Sequence, residues 1–344
     1  MFGKKKSVVG LDIGSSQIKV IELTGYPKLT TILTVGIAPL LPDAIVDGEV
    51  MDREVVIDTI RTLFEKYKIQ AKDIATSISG RGVIVKKIKM DKMKKSEVSE
   101  QIRWEAEQYV PFDIDNVSLA FEIVNPDLGG GQMEVLLVAA KSEVVNSYVS
   151  LIKEMGLNPV VLDISPFAIQ NIYECNYPVL PDKRIALVSI GAEITNISFV
   201  INNVNSFSRD MFSATDSCSQ KIQREMGLNR AQAEQLIRGE SLEGVTPEDV
   251  DKFFQEFAEE IAVGIDKVIP FLPGEKEKID RIVLCGGGAL IRGLVDYLKN
   301  RFDTEVIIIN ALQNIKYDPA IFEEERPEKI SPVIAEAIGL ALRG

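Results

Sequence analysis

The chain contains no histidine. That absence removes the Ser-His-Asp triad, the imidazole general base and the histidine metal ligand. Cysteine is scarce: Cys175, Cys218 and Cys285 stand far apart, with neither zinc-ligand spacing nor a disulfide framework. A reducing compartment is the expected setting. The longest apolar run is VLLVAA at residues 135–140, against the roughly 20 residues that a spanning helix needs. Three lysines at 4–6 precede an apolar stretch that breaks at Asp12, so the N-terminus does not read as a secretory signal. Positive charge is outnumbered. Lys and Arg total 39 against 51 Asp and Glu, a net charge of −12, the opposite of a nucleic-acid binder's basic footprint.

What is present is a globular chain of 344 residues, 46% apolar, long enough for two or three domains. Residues 8–23 (VVGLDIGSSQIKVIEL) read as strand, tight turn, strand. A helix is predicted at about 52–68, with Val56, Ile60, Leu63, Phe64 and Tyr67 on one face. The texture changes near Ser79. Residues 86–95 hold six lysines, and Ser96 is the predicted N-cap of a helix carrying Val98, Ile102, Ala106 and Tyr109, stopped by Pro111. Strands at 119–124 and 133–140 bracket a glycine turn at 129–131, and a helix over 142–155 ends at Gly156. Strand, helix, two strands and helix fit a small α+β unit, with Trp104, Tyr109 and Phe112 expected in its core and a peptide groove as the alternative use for them.

Residues 185–200 (IALVSIGAEITNISFV) repeat the opening pattern, with Ser189 on Asp12 and Gly191 on Gly14. Two homologous halves facing each other are expected. A helix begins at Asn229, with Gln232 as its capping-box partner. A longer one begins at Thr246-Pro247 and buries Val250, Phe253, Phe254, Phe257, Ile261, Ile265 and Val268. A strand at 281–285, the loop Gly286-Gly287-Gly288 and a helix over 290–300 follow. The predicted last element is an apolar helix at 331–343, SPVIAEAIGLALR.

Three glycine-bearing turns stand out: Gly14-Ser15-Ser16, Gly191-Ala192-Glu193 and Gly286-Gly287-Gly288. Glycine lets backbone approach a ligand, and tight turns aim N–H groups at anions. A helix N-terminus directly after the triple glycine would add its dipole. Each turn alone is equally an ordinary chain reversal. Together and in this order they resemble the phosphate and adenosine loops of the actin, Hsp70 and sugar-kinase superfamily. Within it, the stretch QIRWEAEQYVPFDIDNVSLAFEIV at 101–124, inside the inserted unit, is similar to the PilM family of type IV pilus assembly proteins, relatives of the division protein FtsA. LDISPFAIQNIY at 162–173 resembles the family's first connect segment, and 331–343 its closing one.

The resemblance implies an α/β fold, actin-like, with two RNase H-like halves around a nucleotide cleft. The first half (subdomain 1A) spans 1–78 with the connect segment 161–184 and closing helix 331–344. The insert (1C-like) spans 79–160, and the second half (2A/2B) 185–330. It implies ATP and Mg²⁺ as cofactors. Asp12 would hold Mg²⁺ through water; Gly14, Ser15, Ser16 and Gln17 would meet the β- and γ-phosphates, and Lys19 would neutralise them. Gly191, Ala192, Glu193 and Thr195 belong to the second loop. Glu234 and Arg238, with Gly286, Gly287 and Gly288, would face the adenosine. From the residues alone, Asp12 reads equally as a turn cap, Lys19 as a solvated strand lysine, and Glu234 with Arg238 as a helix surface. An active ATPase of this superfamily carries an acid where Ser189 stands and another where Ala192 stands, and the FSAT stretch at 212–215 lacks paired glycines. Binding is therefore better supported than hydrolysis, and no catalytic residue is assigned.

The expected role is an ATP-binding scaffold, cytoplasmic and peripheral at the inner membrane. It would grip the N-terminal tail of a PilN-like membrane protein between the first half and the insert, alongside other pilus-assembly proteins. The lysines at 86–95 are expected to be a solvated strand edge, with contact to anionic lipid as the alternative. An FtsA-like polymer is the runner-up, disfavoured because the chain stops at Gly344 with no amphipathic membrane helix. A sugar or carboxylate kinase lacks a candidate catalytic base. Oligomeric state is left open.

Overall fold

The computed structural model describes residues 7–25, 30–272, 278–322 and 326–344. The lysines at 4–6 lie outside the described residues. The first half opens with β1 (Val8–Ile13), β2 (Gln17–Thr24) and β3 (Thr31–Pro39). A two-strand ribbon, β4 (Ile45–Val46) and β5 (Glu49–Val50), leads to α1 (Arg53–Lys66) and β6 (Asp73–Ile78). Asp52 caps α1 by accepting from the Val55 N–H at 3.1 Å, and the predicted stripe is buried at Val56, Ile60 and Leu63.

The inserted unit comprises β7 (Val83–Asp91), α2 (Lys95–Glu107), β8 (Val117–Gly129), β9 (Gln132–Lys141) and α3 (Ser142–Glu154). Its sheet runs β7-β9-β8 with one face under α2. Two expectations fail here. The cap of α2 is Lys94 rather than Ser96, because the Glu97 carboxylate reaches back to the Lys94 N–H at 2.8 Å and starts the helix earlier. Trp104 is not core: it is 74% exposed on the outer face of α2, while Val98, Ile102 and Ala106 fill the inner one. The six-lysine stretch begins on β7, an edge strand that carries Lys86, Lys87 and Lys89, and runs on to the start of α2. Lys87 pairs with Glu134 at 3.3 Å, Lys92 with Asp127 at 2.5 Å and Lys95 with Glu122 at 2.9 Å, and Lys86 lies over the Tyr109 ring.

The chain returns through β10 (Asn158–Ile164) and α4 (Ser165–Asn176) to the second half. There follow β11 (Ile185–Ile190), β12 (Thr195–Ile201), β13 (Val204–Met211), α5 (Thr215–Met226), α6 (Arg230–Ile237) and α7 (Pro247–Asp266). The last elements are β14 (Arg281–Cys285), α8 (Leu294–Phe302), β15 (Glu305–Ile308), α9 (Pro327–Ile330) and α10 (Ala335–Ala341). The two main sheets share one topology. β3-β2-β1-β6-β10 and β13-β12-β11-β14-β15 each join an antiparallel three-strand meander to two further strands parallel to its innermost one. Registers match too: Asp12 faces Lys19 as Ser189 faces Asn196. Each turn closes alike, Gly14 N–H to Gln17 O at 3.1 Å and Gly191 N–H to Ile194 O at 3.0 Å.

Two helix boundaries differ from expectation. After β14 the chain makes a single 3-10 turn, Gly287–Leu290, and α8 begins only at Leu294. Gly293 sits at φ 83°, a left-handed conformation that no α-helix interior accommodates. At the C-terminus a separate turn, α9, precedes α10. Pro332 lacks an N–H to continue the helix, and its carbonyl accepts from the Gly286 N–H at 2.8 Å. Glycine then draws α10 against the first half. A Cβ on Gly10 would lie 1.9 Å from the Ala337 carbonyl oxygen, and one on Gly339 would lie 1.9 Å from that of Ala168.

Candidate functional site

Parallel strands end where the chain turns into loops, and those carboxyl ends are the usual ligand side of an α/β sheet. Here the ends of β1, β6 and β10 on one half meet those of β11 and β14 on the other around a cavity of about 720 Å³, within the range of small-molecule sites. Asp12, Gly14, Ser15, Ser16, Gln17, Lys19, Gly191, Ala192, Glu193, Glu234, Arg238, Gly286, Gly287 and Gly288 all line it. Thr195 does not. It is fully buried on β12 and its hydroxyl donates to the Ser213 carbonyl at 2.9 Å, a structural role behind the loop.

Because Asp12 and Lys19 are directly opposed across the hairpin, their side chains share a face, and Lys19 Nζ donates to Asp12 Oδ2 at 2.9 Å. Both are largely buried. The Ser15 and Ser16 N–H groups find no acceptor among the described residues, so the first turn presents free donors. In the second loop, the Gly191 and Ala192 carbonyls accept from the Thr215 and Asp216 N–H groups at 3.2 and 2.8 Å, which fixes the start of α5 beside the cavity. The triple glycine divides its labour. A Cβ on Gly286 would strike the Ile190 carbonyl at 2.3 Å and one on Gly288 the Ile190 side chain at 2.2 Å, whereas one on Gly287 would meet nothing within 4 Å. The first and third glycines pack on the end of β11; the second leaves room in the cavity.

Carboxyl groups concentrate here. Burial pushes Glu193 up, offset in part by the Asp47 N–H that it accepts at 3.0 Å and reinforced by Asp216, Asp47 and Asp43. Burial likewise raises Asp216, with Arg230 opposing at 3.5 Å. Glu234 is held by Arg230 at 2.7 Å, and Arg238 by Glu240 at 2.8 Å, so both expected adenosine-side residues already carry ion-pair partners.

Sequence reasoning missed Glu336. It lies on α10, enclosed by protein yet with part of its surface open to the cavity. Ser77 donates to its Oε1 at 2.8 Å and Ser165 also donates to it. Burial first, then the Asp12 charge, lift it from an ordinary carboxyl to about 7. Its signal was a lone acid in an otherwise apolar terminal segment. Asp216 and Tyr148, which donates to the Gly48 carbonyl at 3.0 Å, were missed as well. Cys218 and Cys285 are free, buried and pushed up to about 12 by that burial, so neither is a reactive thiol.

A polyphosphate fits this chemistry: free turn donors, an ammonium and a clear approach at Gly287. A hard divalent cation fits too, since carboxylate oxygens together with ligand phosphates are its preferred partners. Among the described residues no helix is long and apolar enough to cross a membrane.

The protein resembles several solved structures. A chain of the PilM-PilN type IV pilus biogenesis complex is 28% identical, covers 98% of each chain and superposes with a TM-score of 0.86. The ethanolamine utilization protein EutJ from Carboxydothermus hydrogenoformans is 15% identical over 100% of this chain and 91% of its own, with a TM-score of 0.61. MreB5 of Spiroplasma citri, solved bound to AMPPNP, is 14% identical over 93% and 96%, with a TM-score of 0.52. The shared architecture is the actin-like fold. Residues 10–344 match the family described as type IV pilus assembly protein PilM, and to that family the chain belongs.

Proposed function

We propose that this protein is an ATP-binding scaffold of the type IV pilus assembly machinery, which captures the N-terminal tail of a PilN-like membrane protein. The observation that carries the nucleotide half is the convergence of three glycine turns on one cavity floored by Asp12 and Lys19. The Ser15 and Ser16 donors and Lys19 would bind the phosphates, Asp12 would hold Mg²⁺ through water, and Gly287 would admit the nucleoside. The cation, when bound, would screen phosphate charge. Asp12→Ala should remove the Mg²⁺-dependent part of ATP affinity, a loss of about 10–100-fold by analogy with other outer-shell carboxylates. Calorimetry showing equal affinity in that variant would return Asp12 to a turn-capping role.

Hydrolysis is expected to be slow. Ser189 and Ala192 put no carboxylate at the two expected positions of the second loop, and its Glu193 carboxylate is turned to the Asp47 N–H. A positioned general base contributes about 10²–10⁴ in rate, so turnover should fall well below about 1 s⁻¹, the low end of ordinary enzymes. A phosphate-release assay reaching that rate would contradict it.

The partner half rests on the 28% identity to a PilM chain solved with PilN over 98% of both chains. It is supported by the insert, whose sheet has one face under α2 while Val85 and Val138 on the other remain half-buried beside α3 and the first half. An extended tail could fill such a groove with alternate side chains. Attachment to the membrane would then come through that partner, in the cytoplasm. A pull-down of the full chain with a PilN-type tail peptide tests this; failure to bind, with strong co-sedimentation on anionic vesicles, would favour the lysine stretch at 86–95 as a lipid contact instead.

A further inference from the structure

We propose that Glu336 is the second carboxylate of the cation site: with Asp12 it holds the hydrated divalent cation that accompanies the nucleotide. The inference rests on the nucleotide reading above and names a residue of the closing helix that no loop motif marks.

Position is the first argument. Three parallel strands of the first half end side by side. β1 ends in Asp12-Ile13, β6 carries Ser77, and Ser165 follows β10 directly. The Glu336 carboxylate accepts from both serines, so it stands over the same strand ends as Asp12 and faces the same cavity. The close backbone approach at Gly10 and Gly339 fixes this height, because α10 can rise no further from β1 and α4 without losing its packing.

Charge is the second. Ala335, Ala337, Ile338, Gly339, Leu340 and Ala341 are all buried, and an acid in such a helix is costly unless something pairs it. Lys19 is the ammonium whose charge acts on Glu336, and it is already bonded to Asp12 at 2.9 Å. One ammonium thus serves two carboxyl groups on the floor of the cavity. Both serine hydroxyls donate to Glu336, which suits an acceptor carboxylate and leaves its remaining lone pairs for a further partner.

Vacancy in the opposite loop is the third. Ser189 and Ala192 occupy the places where acids were expected, and Glu193 is bonded to the Asp47 N–H. Of the other second-half carboxylates of the cavity, Asp216 and Glu234 are both paired with Arg230, at 3.5 and 2.7 Å, and Glu240 with Arg238 at 2.8 Å, which leaves the first-half pair for a cation. Magnesium commonly uses one or two carboxylates plus substrate phosphates and keeps several waters. Among the described residues no cluster of three acidic or sulfur ligands exists, so this pair should hold the cation only when nucleotide phosphates complete its shell.

The test uses the full chain. ATP affinity is measured by calorimetry with Mg²⁺ and with EDTA, for the native protein and for Glu336→Gln, an isosteric change that removes a buried charge. The native protein should bind ATP more tightly with Mg²⁺. Glu336→Gln should lose about 10–100-fold of that enhancement, the range for outer-shell ligands, while affinity in EDTA stays within about twofold. The electron paramagnetic resonance spectrum of Mn²⁺ with ATP should differ between the two proteins. Equal losses with and without Mg²⁺, which a purely structural acid would give, overturn the proposal, as does an unchanged enhancement. If Glu336→Gln does not fold, Ser77→Ala, which removes a hydroxyl holding the carboxylate, decides by the same ratio. A native protein without ATP affinity overturns the nucleotide reading itself, and this inference with it.

Discussion

A carboxyl group packed among apolar side chains resists ionisation, and Glu336 shows what that does to the whole protein. Its folded-state value is about 7, against 4.5 for an ordinary glutamate. Between pH 4.5 and 7 the folded chain keeps a proton that the unfolded chain has released. Stability from this group is therefore complete below pH 4.5 and is lost as pH climbs to 7, by up to about 3 kcal/mol at 1.36 kcal/mol per unit. Water in the cavity reduces that figure. Glu336→Gln has no such loss, so the nucleotide-free variant should gain stability relative to the native protein as pH rises from 5 to 7.5. Urea denaturation at a series of pH values measures the difference, and a gap independent of pH would contradict it. The acid itself was visible in SPVIAEAIGLALR. Which face of the helix it occupied was not, since two glycine contacts remote in sequence set that orientation.

Elements differ in how far their boundaries could be read. α1, α6 and α7 carry their own caps and long apolar stripes, and they begin where Asp52, Asn229 and Thr246 predict. α5 escaped notice because its buried residues reduce to Cys218, Ser219 and Ile222, too few to make a stripe. The start of α8 was misread because Leu290 and Ile291 look helical while the left-handed Gly293 is decided by backbone geometry. The turn before it yields a prediction in which the middle glycine parts from its neighbours. Gly286→Ala meets both a positive φ and the Ile190 carbonyl, and should destabilise the protein by about 1–3 kcal/mol. Gly287→Ala meets no atom within 4 Å and has an ordinary φ, so stability should hold while ATP affinity falls, because the added methyl stands where the nucleoside would enter. Melting temperatures and calorimetry on the pair separate packing from binding; a Gly287→Ala protein with full affinity would move the nucleoside elsewhere.

At the scale of the molecule, the repeat of residues 8–23 at 185–200 announced two matching sheets, and the matched registers follow from it. Contacts that tie the halves together were not legible, because they depend on single side chains reaching across the cleft. The Asp210 carboxylate on β13 accepts from the Gly80 N–H at 2.7 Å, at the root of the insert, and from Asn196 Nδ2 at 2.6 Å, on the wall of the cavity. Burial pushes this carboxyl up, and those two hydrogen bonds pull it back. Arg81 lies over the Phe212 ring beside it, and the Asp47 N–H reaches Glu193 on the second glycine turn. The insert is thus anchored to a strand whose neighbour lines the cavity between the halves. If the partner tail prefers one setting of the cleft, ATP changes tail affinity by some factor, and the tail must change ATP affinity by the same factor. Asp210→Ala cuts the connection at the root of the insert, leaves the buried Gly80 N–H unpaired and leaves the Asn196 amide only Ser208 Oγ at 3.5 Å, at a stability cost of about 1–3 kcal/mol. It should bring the coupling factor towards one while altering nucleotide-free tail affinity far less. Titrating a PilN-type tail peptide with and without ATP, in both proteins, gives the two factors, and a factor undiminished in Asp210→Ala would mean that the signal reaches the insert by another route.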